Sequence, residues 1–175
     1  MSNIEVYNIF PDDDPALHMK CAPFDFDNPI LDPVELATRL VNTMNYHNAM
    51  GLAANQCGMP LRVFCISGKP PYVCFNPKIV HESVEEVSLM EGCLSYPNLW
   101  IKIRRPDNIR VRFQDPYGNV CTKVLGGYEA RCFMHEHDHL EGISFMSRAD
   151  RFHLEQARRK QKQIIRKAKK PGGTI

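Results

Sequence analysis

The chain has 175 residues, 43% of them hydrophobic and 24% charged, with a formal net charge of +2 at pH 7. This length suits a single globular domain with an adequate core, and no apolar stretch approaches the roughly 18 residues of a membrane span. Residues 1–14 are acidic, whereas a secretory signal peptide would be basic and then apolar. The sequence therefore predicts a cytoplasmic protein with no membrane partner, or an organellar one whose targeting segment has been removed.

The first predicted elements are a helix and a short strand. Asp32 followed by Pro33 is a typical N-cap and first helical residue, and apolar residues recur at helical spacing as far as Met44. We therefore expect a helix over roughly Pro33 to Asn48, with its apolar stripe in the core. The small residues from Gly51 to Ala54 indicate a tightly packed strand.

Strand-like runs follow in the middle of the chain. They are Leu61–Ile66, Tyr72–Phe75, Ile109–Gln114 and Val120–Val124. The turn Asp115-Pro116-Tyr117-Gly118 predicts that the last two runs form a hairpin. Cys57, Cys65 and Cys74 fall in or beside apolar runs, and seven cysteines are an odd number, so we interpret them as reduced core residues.

The most informative segment is His135-Glu136-His137-Asp138-His139, which contains an HExxH motif. Gly126-Gly127 precedes it, no Gly or Pro interrupts Glu129 to Leu140, and Gly142 is placed to end a helix. On such a helix His135 and His139 lie one turn apart on one face, so both imidazoles can reach one metal ion beside Glu136. His137 points about 200° away and is interpreted as an exposed or packing residue.

A catalytic centre of this type usually takes a third protein ligand. Cys132 is on the same helix face but lies roughly 10 Å from His139 along the axis, so it more plausibly lines a pocket. Cys93, in Glu91-Gly92-Cys93-Leu94-Ser95, is the better candidate because the glycine allows close backbone approach. The competing interpretation of Cys93 is ordinary buried packing.

Three motifs in order make the chain resemble the peptide deformylases. They are Ala49 to Gln56 (AMGLAANQ), Glu91 to Ser95 (EGCLS) and His135 to Gly142 (HEHDHLEG). The resemblance departs from the family pattern at three positions, Ala49, Met134 and Trp100. Ala49 is tolerable unless that position needs a positive φ, and Met134 is expected to point away from the ligands. Trp100 is expected to alter peptide preference beyond the first residue.

The resemblance implies a hydrolase that removes the formyl group from the N-terminal formylmethionine of nascent polypeptides. Cys93, His135 and His139 would bind a divalent metal, and Glu136 would accept a proton from the attacking water. The Gln56 amide and the Leu94 backbone N–H would stabilise the developing oxyanion. The implied metal in cells is Fe(II), with Zn, Ni or Co as substitutes, and a thiolate ligand fits such softer metals.

The resemblance also implies a substrate cleft. The small residues Gly51, Ala53 and Ala54 would exclude acyl groups larger than formyl. The peptide backbone would pair as an added strand with the segments around Met50 and Gly92. The implied methionine pocket consists of Met50, Leu89, Tyr128 and Cys132.

The C-terminal part of the chain is strongly basic. Residues 148–170 contain ten basic and two acidic residues, a net charge of +8, whereas the rest has 12 basic and 18 acidic residues, a net charge of −6. We predict a catalytic domain over residues 1–150, and over 151–175 a basic C-terminal helix with a short disordered end at Pro171–Gly173. This helix is interpreted either as packing on the body or as docking on ribosomal RNA, as the resemblance implies. The predicted fold class is α+β, mainly antiparallel sheets around a central HExxH metal-binding helix, with N-terminal and C-terminal helices, in a monomer.

Two other classes of function compete with this one. HExxH alone favours a zinc-dependent endopeptidase, although such enzymes normally take their third ligand from downstream of the helix. A non-catalytic, metal-stabilised RNA-binding module would use the basic tail, but closed structural sites have four protein ligands and only three are evident.

Overall fold

The structure is a computed structural model that describes residues 5–168. The predicted disordered end at Pro171–Gly173 and the basic residues Lys169 and Lys170 lie outside this range. Within it, no helix is both long enough and apolar enough to cross a membrane.

Residues 5–168 include three α-helices, and the predicted N-terminal and C-terminal helices are confirmed. They are α1, Pro33–Tyr46; α2, Gly127–Leu140; and α3, Arg151–Ala168. The Asp32 carboxylate accepts a hydrogen bond from the Glu35 backbone N–H at 2.7 Å and so caps α1 as expected. The helix ends two residues before the predicted Asn48, which adopts a left-handed φ of 51°. Short 3₁₀ helices are Pro15–His18, Ala54–Cys57 and Phe145–Arg148.

Seven strands form two antiparallel sheets, in agreement with the predicted α+β class. They are β1, Gly51–Ala53; β2, Val63–Ile66; β3, Tyr72–Glu82; β4, Glu86–Cys93; β5, Tyr96–Pro106; β6, Asn108–Gln114; and β7, Val120–Gly126. Five of them form one sheet in the order β1-β2-β3-β6-β7, and β6 and β7 form the predicted hairpin. The sequence analysis predicted only the beginning of β3 and named neither β4 nor β5.

Helices α1 and α2 cover opposite faces of the five-stranded sheet. Successive side chains of β2 point alternately towards α2 and towards α1. Phe64 lies in the apolar cluster with Phe133 of α2, whereas Cys65 lies in the cluster with Leu40 and Met44 of α1. Phe64 and Phe133 meet edge to face with their ring centroids 4.9 Å apart. This arrangement holds α2 firmly against the sheet.

Strands β4 and β5 form a separate hairpin with an irregular register near its turn. Gly92 lies opposite Trp100, but the next residue, Cys93, lies opposite Tyr96, so a bulge separates Gly92 from Cys93. The inner face of β5 packs with α3 in a third apolar cluster, which includes Ile101, Ile103, Phe145, Ala157 and Leu154. The C-terminal helix is therefore anchored on the hairpin that carries Cys93.

Candidate metal centre and substrate cavity

Helix α2 carries both histidines of the HExxH motif, and His135 and Glu136 line a cavity. His135, Glu136 and His139 are 7%, 4% and 3% exposed, so the motif is almost fully buried. The two imidazole rings lie edge to face with centroids 5.1 Å apart, as expected for residues one turn apart. The face of α2 that carries the motif is therefore aimed into the protein.

The β4–β5 hairpin delivers Cys93 to the same point. One ligand atom each from Cys93, His135 and His139 can be chosen so that all lie within 4.8 Å of one another. The Cys93 Sγ is 3.2 Å from the His139 Nε2. Cys132 is not part of this group, in agreement with the axial-distance argument, and its thiol instead donates to the Met50 carbonyl at 3.1 Å.

The electrostatics of this group suit a bound cation. Burial lowers the pKa of His139 well below its usual value, and His135 and Arg105 lower it further, so a neutral imidazole is available as a ligand. Burial by itself would lower the pKa of His135, but hydrogen bonds with Cys93 and Glu91 and the charge of Glu136 raise it to about 10. The group therefore favours positive charge between its donors, and a thiolate with two imidazoles fits a divalent transition metal.

Glu136 lines the cavity next to His135, and one of its two carboxylate oxygens is unpaired in the described part of the chain. Its Oε2 is buried and, within residues 5–168, accepts no hydrogen bond. An unpaired buried carboxylate oxygen costs free energy, so the position is suited to a water or a substrate N–H. Burial raises the pKa of Glu136 to about 7, with the charge of His135 opposing that rise. A carboxylate with such a pKa can both accept and return a proton near neutrality.

Gln56 and Leu94 border the same space. The Gln56 side chain is fixed at both ends, since its Oε1 accepts from the Ala53 N–H at 2.9 Å and its Nε2 lies 3.4 Å from the Cys93 Sγ. The Nε2 also lies 3.3 Å from the Ser95 Oγ. Leu94 lines the cavity next to Cys93. Both predicted oxyanion donors are thus held near the candidate metal ligands.

A buried charge network lies behind the ligands. The Glu91 carboxylate accepts from the His135 Nδ1 at 2.9 Å, which directs the opposite ring nitrogen towards Cys93 and His139. Arg105 binds Glu91 through two nitrogens, at 2.7 and 2.9 Å, and Asp138 through a third at 2.6 Å. Burial would raise the pKa of Glu91, but the hydrogen bonds from His135 and Arg105 lower it to about 2.

Two further arginines complete this network. Arg131 binds Glu91 at 3.0 Å and the Ile103 carbonyl at 2.9 Å, and Arg148 binds Asp138. Apart from His135, the members of this network were not among the predicted site residues. Glu91 and Asp138 lie inside the motifs quoted above, so those motifs signalled them, but nothing in the sequence distinguishes Arg105 from its exposed neighbour Arg104.

The cavity above the ligands has a volume of about 500 Å³, which is large enough for a peptide segment. Five of the six residues predicted to contact the substrate line it, namely Met50, Gly51, Gly92, Tyr128 and Cys132. Leu89 does not line it, and its neighbour Met90 does. Because alternate residues of a strand face opposite sides, Met90 shares the face of Gly92 and Leu89 does not. The unpredicted lining residues include His47, Asn48, Tyr96 and Leu99.

Two glycines leave room at the cavity wall. A Cβ on Gly51 would lie 2.6 Å from both the Cys132 Sγ and the Glu136 Oε1. A Cβ on Gly92 would lie 2.8 Å from the indole ring of Trp100, which covers the glycine and is 60% exposed at the cavity rim. Ala49 has no positive φ, so the alanine is compatible with its position, and Met134 is buried in the core with Phe133.

Comparisons with known proteins agree on one family. A family model described as polypeptide deformylase matches residues 6–155. The peptide deformylase of Thermotoga petrophila is 37% identical over 145 residues, which cover 82% of this chain and 87% of that protein. The crystal structure of peptide deformylase from Thermotoga maritima superposes with a TM-score of 0.77 at 33% identity, over 83% of this chain and 99% of that one.

Two solved structures add ligands to the comparison. A peptide deformylase from Synechococcus elongatus, in complex with actinonin, has a TM-score of 0.81 at 29% identity and covers 93% of this chain and 88% of its own. A class I type b peptide deformylase from Acinetobacter baumannii, with Met-Ala-Ser bound, has a TM-score of 0.78 at 28% identity and covers 83% and 99%.

Proposed function

Because the chain belongs to the polypeptide deformylase family, and is therefore a hydrolase that removes the formyl group from nascent polypeptides, we propose that Cys93, His135 and His139 hold its metal ion. The observation that carries this proposal is the convergence of their three ligand atoms within 4.8 Å of one another, with Cys93 and His135 lining the cavity. When bound, the metal supplies Lewis acidity and a water of lowered pKa.

In this proposal Glu136 moves the proton. Its buried Oε2 has no other partner in the described chain, and its pKa of about 7 suits a group that must accept a proton and then return it. Glu136 takes the proton from the attacking water and gives it to the nitrogen of the leaving amine. Water and the formyl amide thereby yield formate and a free N-terminal amine.

Gln56 and the Leu94 N–H are the proposed oxyanion donors. The Gln56 amide is held by the Ala53 N–H on its oxygen, so its Nε2 remains directed into the cavity. A donor fixed before the reaction stabilises developing charge without reorganising, and losing one typically costs roughly 3 kcal/mol of the barrier.

The methionine side chain is proposed to enter the apolar part of the cavity formed by Met50, Tyr128 and Cys132, with Met90 in place of the predicted Leu89. The peptide backbone would pair with the segments around Met50 and Gly92. The relative from A. baumannii binds Met-Ala-Ser, a peptide that begins with methionine. The Gly51 wall supports selection for formyl, because even one added Cβ there would collide with Glu136.

We propose Fe(II) as the metal in cells, with Zn, Ni or Co as substitutes. A thiolate beside two imidazoles favours borderline metals over Mg²⁺ or Ca²⁺. Anaerobic purification followed by elemental analysis tests this proposal, and a site that retains only magnesium would contradict it.

The experiment that tests the activity compares one peptide with and without its formyl group. The expected result is formate and a new amine from the formylated form, with the peptide backbone intact. Cleavage of a peptide bond would favour the HExxH endopeptidase instead, an alternative that membership of the deformylase family does not favour.

The basic helix α3 is proposed to dock on ribosomal RNA. Its cations, among them Arg159, Lys162 and Arg166, are exposed, whereas Ala157 anchors the helix on the β4–β5 hairpin. Anchoring and docking therefore use different sides of the same helix. Ribosome binding that weakens steeply with added salt would support the proposal.

A further inference from the structure

Half of one face of the five-stranded sheet is left open by the helices. Helix α1 packs on that face with Val63 of β2 and Phe75 near the start of β3. Beyond them, along the far end of β3 and along β6 and β7, the outward side chains are exposed. This surface, the basic sheet face, consists of Lys78, His81, Arg110, Arg112, Thr122 and Val124.

Strand alternation places these residues on one side. Val111 is buried against α2, so Arg110 and Arg112 on either side of it point to the opposite face. Lys78 lies directly across from Arg112, and His81 lies directly across from Arg110. Cross-strand partners lie on the same face of a sheet. Two neighbouring pairs on this face therefore consist entirely of basic residues.

The cations of this face lack acidic partners in the part of the chain that the structure describes. Within residues 5–168, no carboxylate lies within 4.0 Å of the side-chain nitrogens of Lys78, Arg110 or Arg112. By contrast, the exposed Arg104 of β5 binds Glu86 of the neighbouring strand at 2.7 Å. Like charges placed directly opposite one another destabilise a sheet. The arrangement therefore indicates a surface that an anionic partner would complement.

The geometry suits a chain of phosphates. Arg110 and Arg112 are two residues apart on one strand, which places them roughly 7 Å from each other, comparable with successive phosphates. Arginine binds phosphate through two parallel N–H groups. A depression of about 430 Å³ beside Arg110 adds the His81 ring as a further polar group. The Ser83 hydroxyl and the Asn108 amide also line it, but they already donate to the Glu85 carbonyl and the Asp107 carboxylate.

We propose that the basic sheet face binds the phosphate backbone of structured RNA. Among its six residues only His81 has an aromatic ring, so the face lacks a row of rings on which successive unpaired bases could stack and fits a helical backbone better than a single strand. The choice of RNA over DNA rests on the proposed function, because nascent polypeptides are made on an RNA-containing particle. The surface differs from α3, which is anchored on the other sheet.

The test measures binding of a labelled RNA hairpin of about 16 base pairs by fluorescence anisotropy over a range of salt concentrations. Neutralising Lys78, Arg110 and Arg112 to Gln should lower the slope of log affinity against log salt by about 3, since each phosphate contact contributes about 0.9. Arg112→Glu should weaken binding as well. It should also leave the melting temperature unchanged or raised, because a carboxylate would then face Lys78.

Lys102→Glu is the matched control, since Lys102 is an exposed strand residue of the other sheet. The contribution of α3 is separated by repeating the measurement in a variant that lacks three of its cations, Arg159→Gln/Lys162→Gln/Arg166→Gln. In this variant Arg112→Glu should still weaken binding. The proposal is overturned if the triple Gln variant keeps the wild-type slope, or if Arg112→Glu and Lys102→Glu weaken binding equally. It is also overturned if polyglutamate or phosphatidylserine vesicles compete as well as RNA. Hydrolysis of short formyl-peptides is measured in parallel and tests the proposed function separately.

Discussion

Helices α2 and α3 both carry many ionisable side chains, and the two helices use them in opposite ways. Ten of the fourteen residues of α2 are buried, whereas Ala157 is the buried residue of the eighteen described for α3. In α2 buried charges are paired, as Arg131 is with Glu91 and Asp138 is with Arg105. Glu136 departs from this pattern, since its Oε2 accepts no hydrogen bond within residues 5–168. In α3 water solvates the charges. Burial thus holds the side chains of α2 in the geometry that a reaction needs. The exposed cations of α3 instead produce an electrostatic field that can attract a partner from a distance.

The largest difference between the two helices is expected when the proposed proton acceptor of α2, Glu136, is removed. Glu136→Ala should retain its metal, because the three proposed ligands are intact, and should lose about 10³-fold in kcat. Metal content by elemental analysis and turnover of a formyl-peptide check this. A variant that keeps more than about a tenth of the wild-type kcat would show that Glu136 is not the base.

The two cysteines of the cavity form the next test. Cys93→Ala should lose metal and activity together, because it removes one of the three converging donors. Cys132→Ala should retain its metal and mainly change KM, because Cys132 lines the cavity outside that group. Equal loss of metal from both variants would contradict the ligand assignment.

The adjacent residues Arg104 and Arg105 allow an exposed charge to be compared directly with a buried one. Arg105→Met leaves Glu91 and Asp138 as buried charges without their shared partner and should lower the free energy of unfolding by about 3–5 kcal/mol. Arg104→Met removes an exposed pair with Glu86 and should cost about 0.5 kcal/mol. Urea unfolding of the two variants measures the difference. Similar midpoints would mean that the network contributes little.

Trp100 combines features of buried and exposed residues, because its indole ring packs against Gly92 but is largely exposed at the cavity rim. We expect apolar or aromatic residues after formylmethionine to pack on its indole ring and lower KM, by roughly five-fold for Phe over Ala. Trp100→Ala should abolish this preference with little change in kcat. Tyr117→Ala, an exposed aromatic residue outside the cavity, is the control. A preference that survives Trp100→Ala would assign it to other residues.

The smallest effect on chemistry is expected in α3. Neutralising Arg159, Lys162 and Arg166 to Gln should leave formyl-peptide turnover within about two-fold and weaken ribosome binding, most clearly at low salt. Ending the chain after Ser147 is a poorer test, because it would also remove Ala157 from the core around Ile101. Ribosome binding that is unchanged in the Gln variant would leave α3 as a packing element.

Local chemistry explains which elements the sequence predicted. Asp32-Pro33 set the start of α1, the Asp115–Gly118 turn set the β6–β7 hairpin, and the HExxH spacing set the histidine face of α2. The β4–β5 hairpin went unpredicted because β4 mixes small, charged and apolar residues without a clear pattern, although the apolar residues of β5 from Leu99 to Ile103 alternate as in a half-buried strand. Its stability depends on contacts distant in sequence, such as those with α3.

The candidate site was predictable only where residue types carried the chemistry. Cys93 and the two histidines follow from ligand preferences and the resemblance, and the structure brings them together. The network behind them was not predictable, because Arg105 reaches Glu91 across a hairpin and Asp138 across 33 positions in sequence. Leu89 was expected in the cavity and Met90 lines it instead, which reflects a strand register that the sequence does not reveal.

The bulge between Gly92 and Cys93 means that the number of residues in this hairpin, and not only their types, matters for the candidate metal site. The shift in register there sets the alternation that directs Cys93 towards the two histidines. Inserting or deleting one residue next to it would turn the thiol to the opposite side of the hairpin while changing no residue type. We therefore expect descendants of this chain to conserve the number of residues in this hairpin tip as strictly as they conserve Cys93 itself.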